Sequence, residues 1–274
     1  MVNNSYNKFS SPSGKGMIID SMKSSLLPCL HNPDDYLDNG TILKDSTSTK
    51  VAIAELNDHT KIFIKRYNNK SLRYTLRYLF RSMRPFRVLK AVKKLNELSI
   101  PTPNIFAALS KRKFKLIPAS SYVIHEYWNN CLTTTEYFDL LHNDRAHFKE
   151  FCRTITNYLA KMHHAGLRHN DLKVSNICCR RNDQELTFGF WDLDGIMIFN
   201  SALTPAEFIY LDMARLISSW LSHAYSAKLT VDRLQITDCF LEHYSQHSDF
   251  IFDNERIDKI IDRFIKRKQR SKKQ

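Results

Sequence analysis

His169-Asn170-Asp171-Leu172-Lys173-Val174-Ser175-Asn176 is the stretch from which the rest of the chain is read, together with Trp191-Asp192-Leu193-Asp194 downstream of it. A lone aspartate in a loop usually caps or turns the chain. The order His, Asp, Lys, Asn and then a second Asp at a strand end instead fits a phosphoryl-transfer loop. In such a site one carboxylate, Asp171, faces the attacking hydroxyl. Asn176 and Asp192 then offer hard oxygen ligands to Mg2+ bridging the phosphates of a nucleotide.

Working outward, the segment before this loop has helical spacing: Phe148, Phe151, Ile155, Tyr158, Leu159 and Met162 recur every three or four residues, and Gly166 sits at a C-cap position. Between the loop and Asp192, Ile177–Arg180 and Leu186–Trp191 read as two strands turning at Asn182-Asp183. Helical patterning returns at Pro205–Ala224 and Val231–Tyr244. The N-terminal half is strand-like, with runs at 41–43, 51–54 and 61–65, then helical stretches over Ser71–Met83 and Phe86–Leu98 and a strand over Ser121–Tyr127. Strand alternation sends Ile64 and Lys65 to opposite faces. Lys65 is therefore the residue assigned to the nucleotide phosphates, and its neighbour Arg66 points away. The expected organisation is a loosely ordered arm over residues 1–25, a strand-rich N-terminal lobe over 26–127, a helical C-terminal lobe over 128–250 and a basic tail over 251–274.

Length and composition bound the answer. At 274 residues, 43% hydrophobic and 25% charged, with 6 Gly and 8 Pro, the chain can bury a large core and is neither disordered nor a disulfide miniprotein. Six scattered cysteines form no C-x-x-C pair and read as reduced thiols of a cytoplasmic protein. No apolar run is long enough to cross a bilayer, and no leader pattern precedes the first strands. The net charge of +13 is concentrated. Residues 61–94 hold 12 Lys/Arg and no acid, and residues 255–274 hold 9 Lys/Arg against 3 acids.

Several stretches together resemble the bacterial lipopolysaccharide core kinases, the Kdo/heptose kinase family of the protein-kinase-like fold. They are the basic run from Tyr67 to Phe80, Leu98-Ser99-Ile100-Pro101-Thr102-Pro103, Tyr122-Val123-Ile124-His125-Glu126-Tyr127, the 169–176 loop, Asp192-Leu193-Asp194 and Leu211-Asp212-Met213-Ala214-Arg215-Leu216. The resemblance covers roughly residues 37–222. It implies an α+β fold of two lobes, an antiparallel-sheet N-lobe and a mainly helical C-lobe. It also implies ATP and Mg2+ as cofactors, with Asp171 as general base, Asn176 and Asp192 on the metal and Lys65 on the phosphates. Lys173 would neutralise charge on the transferred phosphoryl group. Glu126 and Tyr127 would contact adenine through backbone groups, and Asp212 would tie the catalytic loop to a helix beneath it.

The chain departs from kinase patterns in four places. Asp45-Ser46-Thr47-Ser48-Thr49 stands where a glycine-rich loop is usual, so backbone N–H and hydroxyl groups would meet the phosphates there. Glu97 is the sole acid of the 86–98 helix and sits near its end. Asn170 replaces the arginine that reads a phosphorylated activation loop, and the segment from Asp192 to Pro205 is short, which argues against regulation by loop phosphorylation. Asp194 stands where many kinases have glycine, and it either meets a second metal or caps a turn.

Arg73, Arg77, Arg81 and Arg84 form a one-sided ridge suited to phosphate recognition. At the C-terminus Ile257, Ile260, Ile261, Phe264 and Ile265 make an apolar stripe among cations, which either lies on an anionic inner-membrane surface or docks on the C-terminal lobe. The expected activity is ATP-dependent phosphorylation of a Kdo or heptose hydroxyl of the lipopolysaccharide inner core, by a cytoplasmic protein peripheral to the membrane. Two alternatives stand beside it: an atypical Ser/Thr protein kinase, and a non-catalytic kinase-like binder of anionic lipid. No aromatic-basic motif for reading nucleic acid is present.

Overall fold

Alternation of apolar and polar residues in the N-terminal half builds an antiparallel sheet, and 3–4 periodicity in the C-terminal half builds packed helices. The computed structural model describes residues 5–68, 83–113, 117–182, 185–200 and 203–271. It divides into two units, Met1–Lys93 with Pro103–Trp128, and Lys94–Thr102 with Asn129–Gln274.

The first unit is a seven-stranded sheet of β1 (Tyr6–Ser11), β2 (Gly14–Ile19), β3 (Thr41–Asp45), β4 (Thr49–Glu55), β5 (Lys61–Asn68), β6 (Ile105–Lys113) and β7 (Ile117–Glu126). Their order is β1-β2-β6-β7-β5-β4-β3, every pair antiparallel. Ile62 and Ile64 of β5 point to one face, where they pack with Ala52, Ala54 and Ile124 of the neighbouring strands. Leu26, Cys29 and Leu30 of α1 (Lys23–His31) and Leu37 of α2 (Pro33–Asn39) cover that face. Burying each such aliphatic side chain contributes about 1.5–3 kcal/mol. Arg66 lies on the α2 side and its Nη1 donates to Asp34 Oδ1 at 2.7 Å. Lys65 alternates to the opposite face, as strand geometry requires.

The loosely ordered arm expected over residues 1–25 is, in its described part, replaced by β1, β2 and the start of α1. The strands form because β2 finds an open edge on β6, pairing from Lys15 to Ser110 through Ile18 to Ala107. β6, α1 and α2 were not expected either. α1 carries Pro28 and two serines, so its helicity depends on the burial of Leu26, Cys29 and Leu30 more than on propensity. Helix α3 (Arg84–Glu97) replaces the expected 86–98 stretch, and its end from Lys94 groups with the second unit. The helical stretch Ser71–Met83, with Arg73, Arg77 and Arg81 of the basic ridge, lies outside the described residues except for Met83. Arg84, the ridge's last member, lies 5.7 Å from the centroid of the Tyr67 ring.

The second unit holds α4 (Thr134–Asn143), α5 (Arg145–His164), α6 (Ala206–Ser226), α7 (Arg233–Ser245) and α8 (Asn254–Ser271). Thr133 and Glu136 close a capping box on α4, and Asp144 accepts the first amides of α5. Trp220 of α6 is the hub of the core: its ring lies 4.5 Å from Phe138, 4.8 Å from Phe148 and 5.3 Å from Phe151, centroid to centroid. Gly166 ends α5 with φ +66, as its cap position predicts. The chain then forms β9 (Leu167–Arg168), the 169–176 loop, the hairpin β10 (Ile177–Asn182) and β11 (Glu185–Phe190), and β12 (Met197–Ile198), which pairs back onto β9. β8 (Cys131–Leu132), near the start of the expected C-terminal lobe, adds an edge to β10. Ile257 and Ile261 of α8 are fully buried and Ile260 nearly so, with α8 packed along α6. Of the two expectations for the basic tail, docking on its own lobe is the one this packing follows.

Candidate active site

Two short strands, β9 and β12, bracket the 169–176 loop. Met197 pairs with Arg168 and Ile198 with Leu167, which folds the segment after Asp192 back onto the loop's start. Gly195 lies between: a methyl group added there would stand 3.3 Å from the His169 carbonyl oxygen and 3.5 Å from Asp171 Cβ. Two non-glycine residues here adopt left-handed backbone, Asn170 at φ +65 and Asp192 at φ +52. That conformation costs about 1–2 kcal/mol and concentrates at sites where the surrounding structure holds it for function.

Asp171 stands at the centre. Lys173 Nζ donates to its Oδ2 at 2.8 Å and Arg215 Nη1 to its Oδ1 at 2.7 Å. Asn176 Nδ2 donates to the Asp171 carbonyl oxygen at 2.8 Å, with a longer 3.4 Å approach to Oδ2. That bond fixes the amide so that its Oδ1 faces away from Asp171 as a hard acceptor. The Trp191 N–H donates to the Asn176 carbonyl at 3.1 Å, and Trp191 Nε1 donates to the Ser175 carbonyl at 2.7 Å. These two bonds seat Asp192, which is exposed, beside Asn176. Hydrogen bonds thus join Asp171, Lys173 and Asn176, and the Trp191 bonds bring the chain at Asp192 next to Asn176.

Helix α6 supports the cluster from below. Asp212 Oδ2 accepts the His169 amide at 2.7 Å, and Oδ1 accepts the Asn170 amide at 3.0 Å. One turn on is Arg215, and one more turn brings Ser219, whose Oγ accepts the Val174 amide at 2.9 Å. Asp212, Arg215 and Ser219 share one helix face at i, i+3 and i+7. Asp212 has the tethering role expected of it; Arg215 and Ser219 were missed. The signal available in the sequence was three polar residues at helical spacing, Asp212 and Arg215 among apolar neighbours and Ser219 one turn on. Burial alone would raise the Asp212 carboxyl, but the basic groups of His163, His169 and Arg168 around it bring it below the ordinary carboxylate value. His169 is fully buried, neither ring nitrogen has a hydrogen-bond partner, and burial pushes its imidazole down despite the nearby carboxylates.

In the first unit Lys65 sits opposite Val51 of β4 and Val123 of β7, with its Nζ 5.4 Å from the Tyr67 ring centroid. Glu126, at the end of β7, is paired with Ile62 and donates its N–H to the Asn104 carbonyl at 2.8 Å. Its carboxylate accepts from Asn104 Nδ2 at 2.8 Å and from the Asn104 amide at 3.2 Å. Tyr127 follows directly, beyond the strand. In the β3–β4 turn, which stands in place of a glycine-rich loop, the Ser46 amide donates to the Thr49 carbonyl at 2.9 Å and the Thr49 amide to Ser46 Oγ at 3.1 Å. Those two N–H groups are spent on the turn itself, so the expectation of backbone amides for phosphate there narrows to the residues at its tip.

Oxygen donors on Asn176 and Asp192 fit Mg2+, which usually takes only one or two protein ligands and completes its shell with phosphate oxygens and water. Among the described residues no group of three or more His, Cys, Asp or Glu could hold a metal ion by itself.

No curated protein matches the chain. Many solved structures do. Among them is WaaP in complex with acyl carrier protein, at a TM-score of 0.62 and 14% identity, covering 90% of this chain and 96% of that one. At that identity the likeness shows the fold, an α+β arrangement of the protein-kinase-like kind. The model of the lipopolysaccharide kinase (Kdo/WaaP) family matches residues 43–230, a span that contains Lys65, the 169–176 loop, Asp192 and the polar face of α6. The chain belongs to the lipopolysaccharide kinase (Kdo/WaaP) family and is an ATP-using phosphotransferase.

Proposed function

We propose that the chain transfers the γ-phosphoryl group of ATP to a sugar hydroxyl of the lipopolysaccharide inner core, on Kdo or heptose, with Asp171 as general base. The observation that carries this reading is the cluster in which Asn176 and the Trp191–Asp192 segment are hydrogen-bonded around Asp171. Each Asp171 oxygen accepts one cationic donor; Oδ2 is also approached by Asn176 Nδ2 at 3.4 Å, and Oδ1 keeps a second lone-pair position for the proton of an alcohol. Asp171 orients that hydroxyl and takes up its proton as the new P–O bond forms and the bond from the γ-phosphorus to the bridging oxygen breaks, releasing ADP. Lys173, beside it, offsets charge on the phosphoryl group in transit. Asn176 and Asp192 would hold Mg2+, which when bound screens the charge of the nucleotide phosphates. In the sheet unit Lys65 is the residue assigned to nucleotide phosphates. Adenine is read at the strand end by the carbonyl of Glu126 and the backbone of Tyr127, because the Glu126 amide is already given to Asn104.

Two further assignments belong to this reading. The protein works at the cytoplasmic face of the inner membrane, and the cations on the outer side of α8 meet its anionic surface. The acceptor is a sugar and not a protein side chain, because the short segment between Asp192 and Pro205 gives little platform for a peptide.

Labelled ATP offered with core glycolipid and, separately, with protein acceptors tests the acceptor class. Mass spectrometry of cores from cells with and without the protein names the sugar. Asp192→Ala is expected to abolish transfer, and Asp171→Ala to reduce it about 10²–10⁴-fold. Near-normal turnover in both variants would refute the assignment.

A further inference from the structure

Arg215 has no part in the phosphoryl-transfer reading of the sequence, yet it joins two segments far apart along the chain. Its Nη1 donates to Asp171 Oδ1 at 2.7 Å, and its guanidinium carbon lies 5.0 Å from the centroid of the Phe264 ring on α8. Its Nε is buried without an acceptor. A buried donor left unmet is unfavourable, so the carboxylate and the ring, not full satisfaction of its own donors, hold the guanidinium in place.

The two cations on Asp171 differ in what they are anchored to. Lys173 is half exposed, belongs to the same loop and moves with it. Arg215 comes from α6, one turn from Asp212 and one turn from Ser219, the residues that fix the loop's backbone. It therefore refers the direction of the carboxylate to a rigid helix. A guanidinium is planar, and an aromatic face beside it restricts its plane where a lone ammonium would swivel.

We propose that Arg215, braced by Phe264, is a positioning residue that sets the orientation of the Asp171 carboxylate toward the acceptor hydroxyl, so that α8 is a working part of the catalytic apparatus. This rests on Asp171 being the general base and deepens that reading.

The test is steady-state kinetics on the full chain, with ATP and core glycolipid, for Arg215→Ala, Arg215→Lys, Phe264→Leu and Phe264→Tyr beside Asp171→Asn. Arg215→Ala lowers kcat about 10–10²-fold, the range a misplaced reacting group costs, while KM for ATP stays within about twofold. Guanidinium ion added to the assay recovers part of that loss in Arg215→Ala and none in Asp171→Asn. Arg215→Lys falls between wild type and Arg215→Ala. Phe264→Leu lowers kcat about threefold or more and Phe264→Tyr does not, as loss or retention of a cation–π partner requires. The double variant Arg215→Ala/Phe264→Leu is no slower than Arg215→Ala alone, because the two act as one unit.

Wild-type kcat in Arg215→Ala with an inactive Asp171→Asn would overturn the positioning role and leave the base assignment standing. An active Asp171→Asn would overturn both. Should Arg215→Ala melt early, Phe264→Leu decides: it leaves the ion pair intact, and an unchanged kcat there overturns the proposal.

Discussion

At the scale of single residues, the 169–176 loop is held by buried polar groups whose protonation is set by their surroundings. His169 is the clearest case. Its imidazole is pushed below the ordinary value by burial, against the pull of Asp212, Asp171 and Asp192. The unfolded chain takes up that proton near pH 6.5 and the folded chain only at lower pH, so between the two values the unfolded state binds more protons. The contribution of neutral His169 to stability is therefore complete above about pH 7 and lost progressively as pH falls below about 6.5. Melting temperatures between pH 7.5 and 5 should decline in the wild type and decline less steeply in His169→Asn; identical slopes would contradict the assignment. His223 and His247 are shifted the same way by burial, so part of the slope remains in the variant. Asp212→Ala strands the amides of His169 and Asn170 and should cost about 2–6 kcal/mol in chemical denaturation, from about 1–3 kcal/mol for each buried donor left unmet.

At the scale of elements, α6 has two faces with separate tasks. Its apolar face, with Trp220, Leu216 and Met213 buried, organises the helical core, and its polar face at Asp212, Arg215 and Ser219 docks the loop. α8 packs along α6 by Ile257 and Ile261, and Arg233 of α7 ties it further through Asp258 at 3.0 Å and Asp262 at 2.7 Å. Ile261→Ala should destabilise the second unit by about 2–5 kcal/mol, the usual range for emptying a fully buried isoleucine. A measured loss well under 1 kcal/mol would mean that α8 does not pack as described. Helices α3, α5, α6, α7 and α8 and the β3–β5 meander were legible because each repeats a local period. β1, β2, β6, α1, α2 and α4 were not. β1 buries no residue fully and exists by pairing with β2, and α1 interrupts its own pattern with Pro28. Both depend on a surface that the rest of the chain supplies.

At the scale of the whole molecule, the charge of +13 finds two outlets. Some cations are used internally, as Arg66 on Asp34, Arg233 on Asp258 and Asp262, and Arg215 on Asp171. Others, including Lys266, Arg267 and Arg270 on α8, point to solvent. Because the apolar side of α8 is occupied by α6, attachment to a membrane would be electrostatic and reversible. No helix of the described residues is long and apolar enough to cross a bilayer. Replacing Lys266, Arg267 and Arg270 by Gln should weaken binding to anionic vesicles about 10²-fold, at about 1 kcal/mol for each charge, and raised salt should do the same. Binding that ignores both changes would count against the surface reading.

The order of residues 169–176 and the aspartate that follows were enough to identify phosphoryl transfer, because that chemistry needs particular side chains at short, fixed separations. The alternation around Lys65 was likewise enough to send Arg66 the other way. What Asp171 touches was decided only by folding. Arg215 reaches it from one helix and is itself braced by Phe264 from another, and no local period encodes which distant side chains meet once those helices pack against one another.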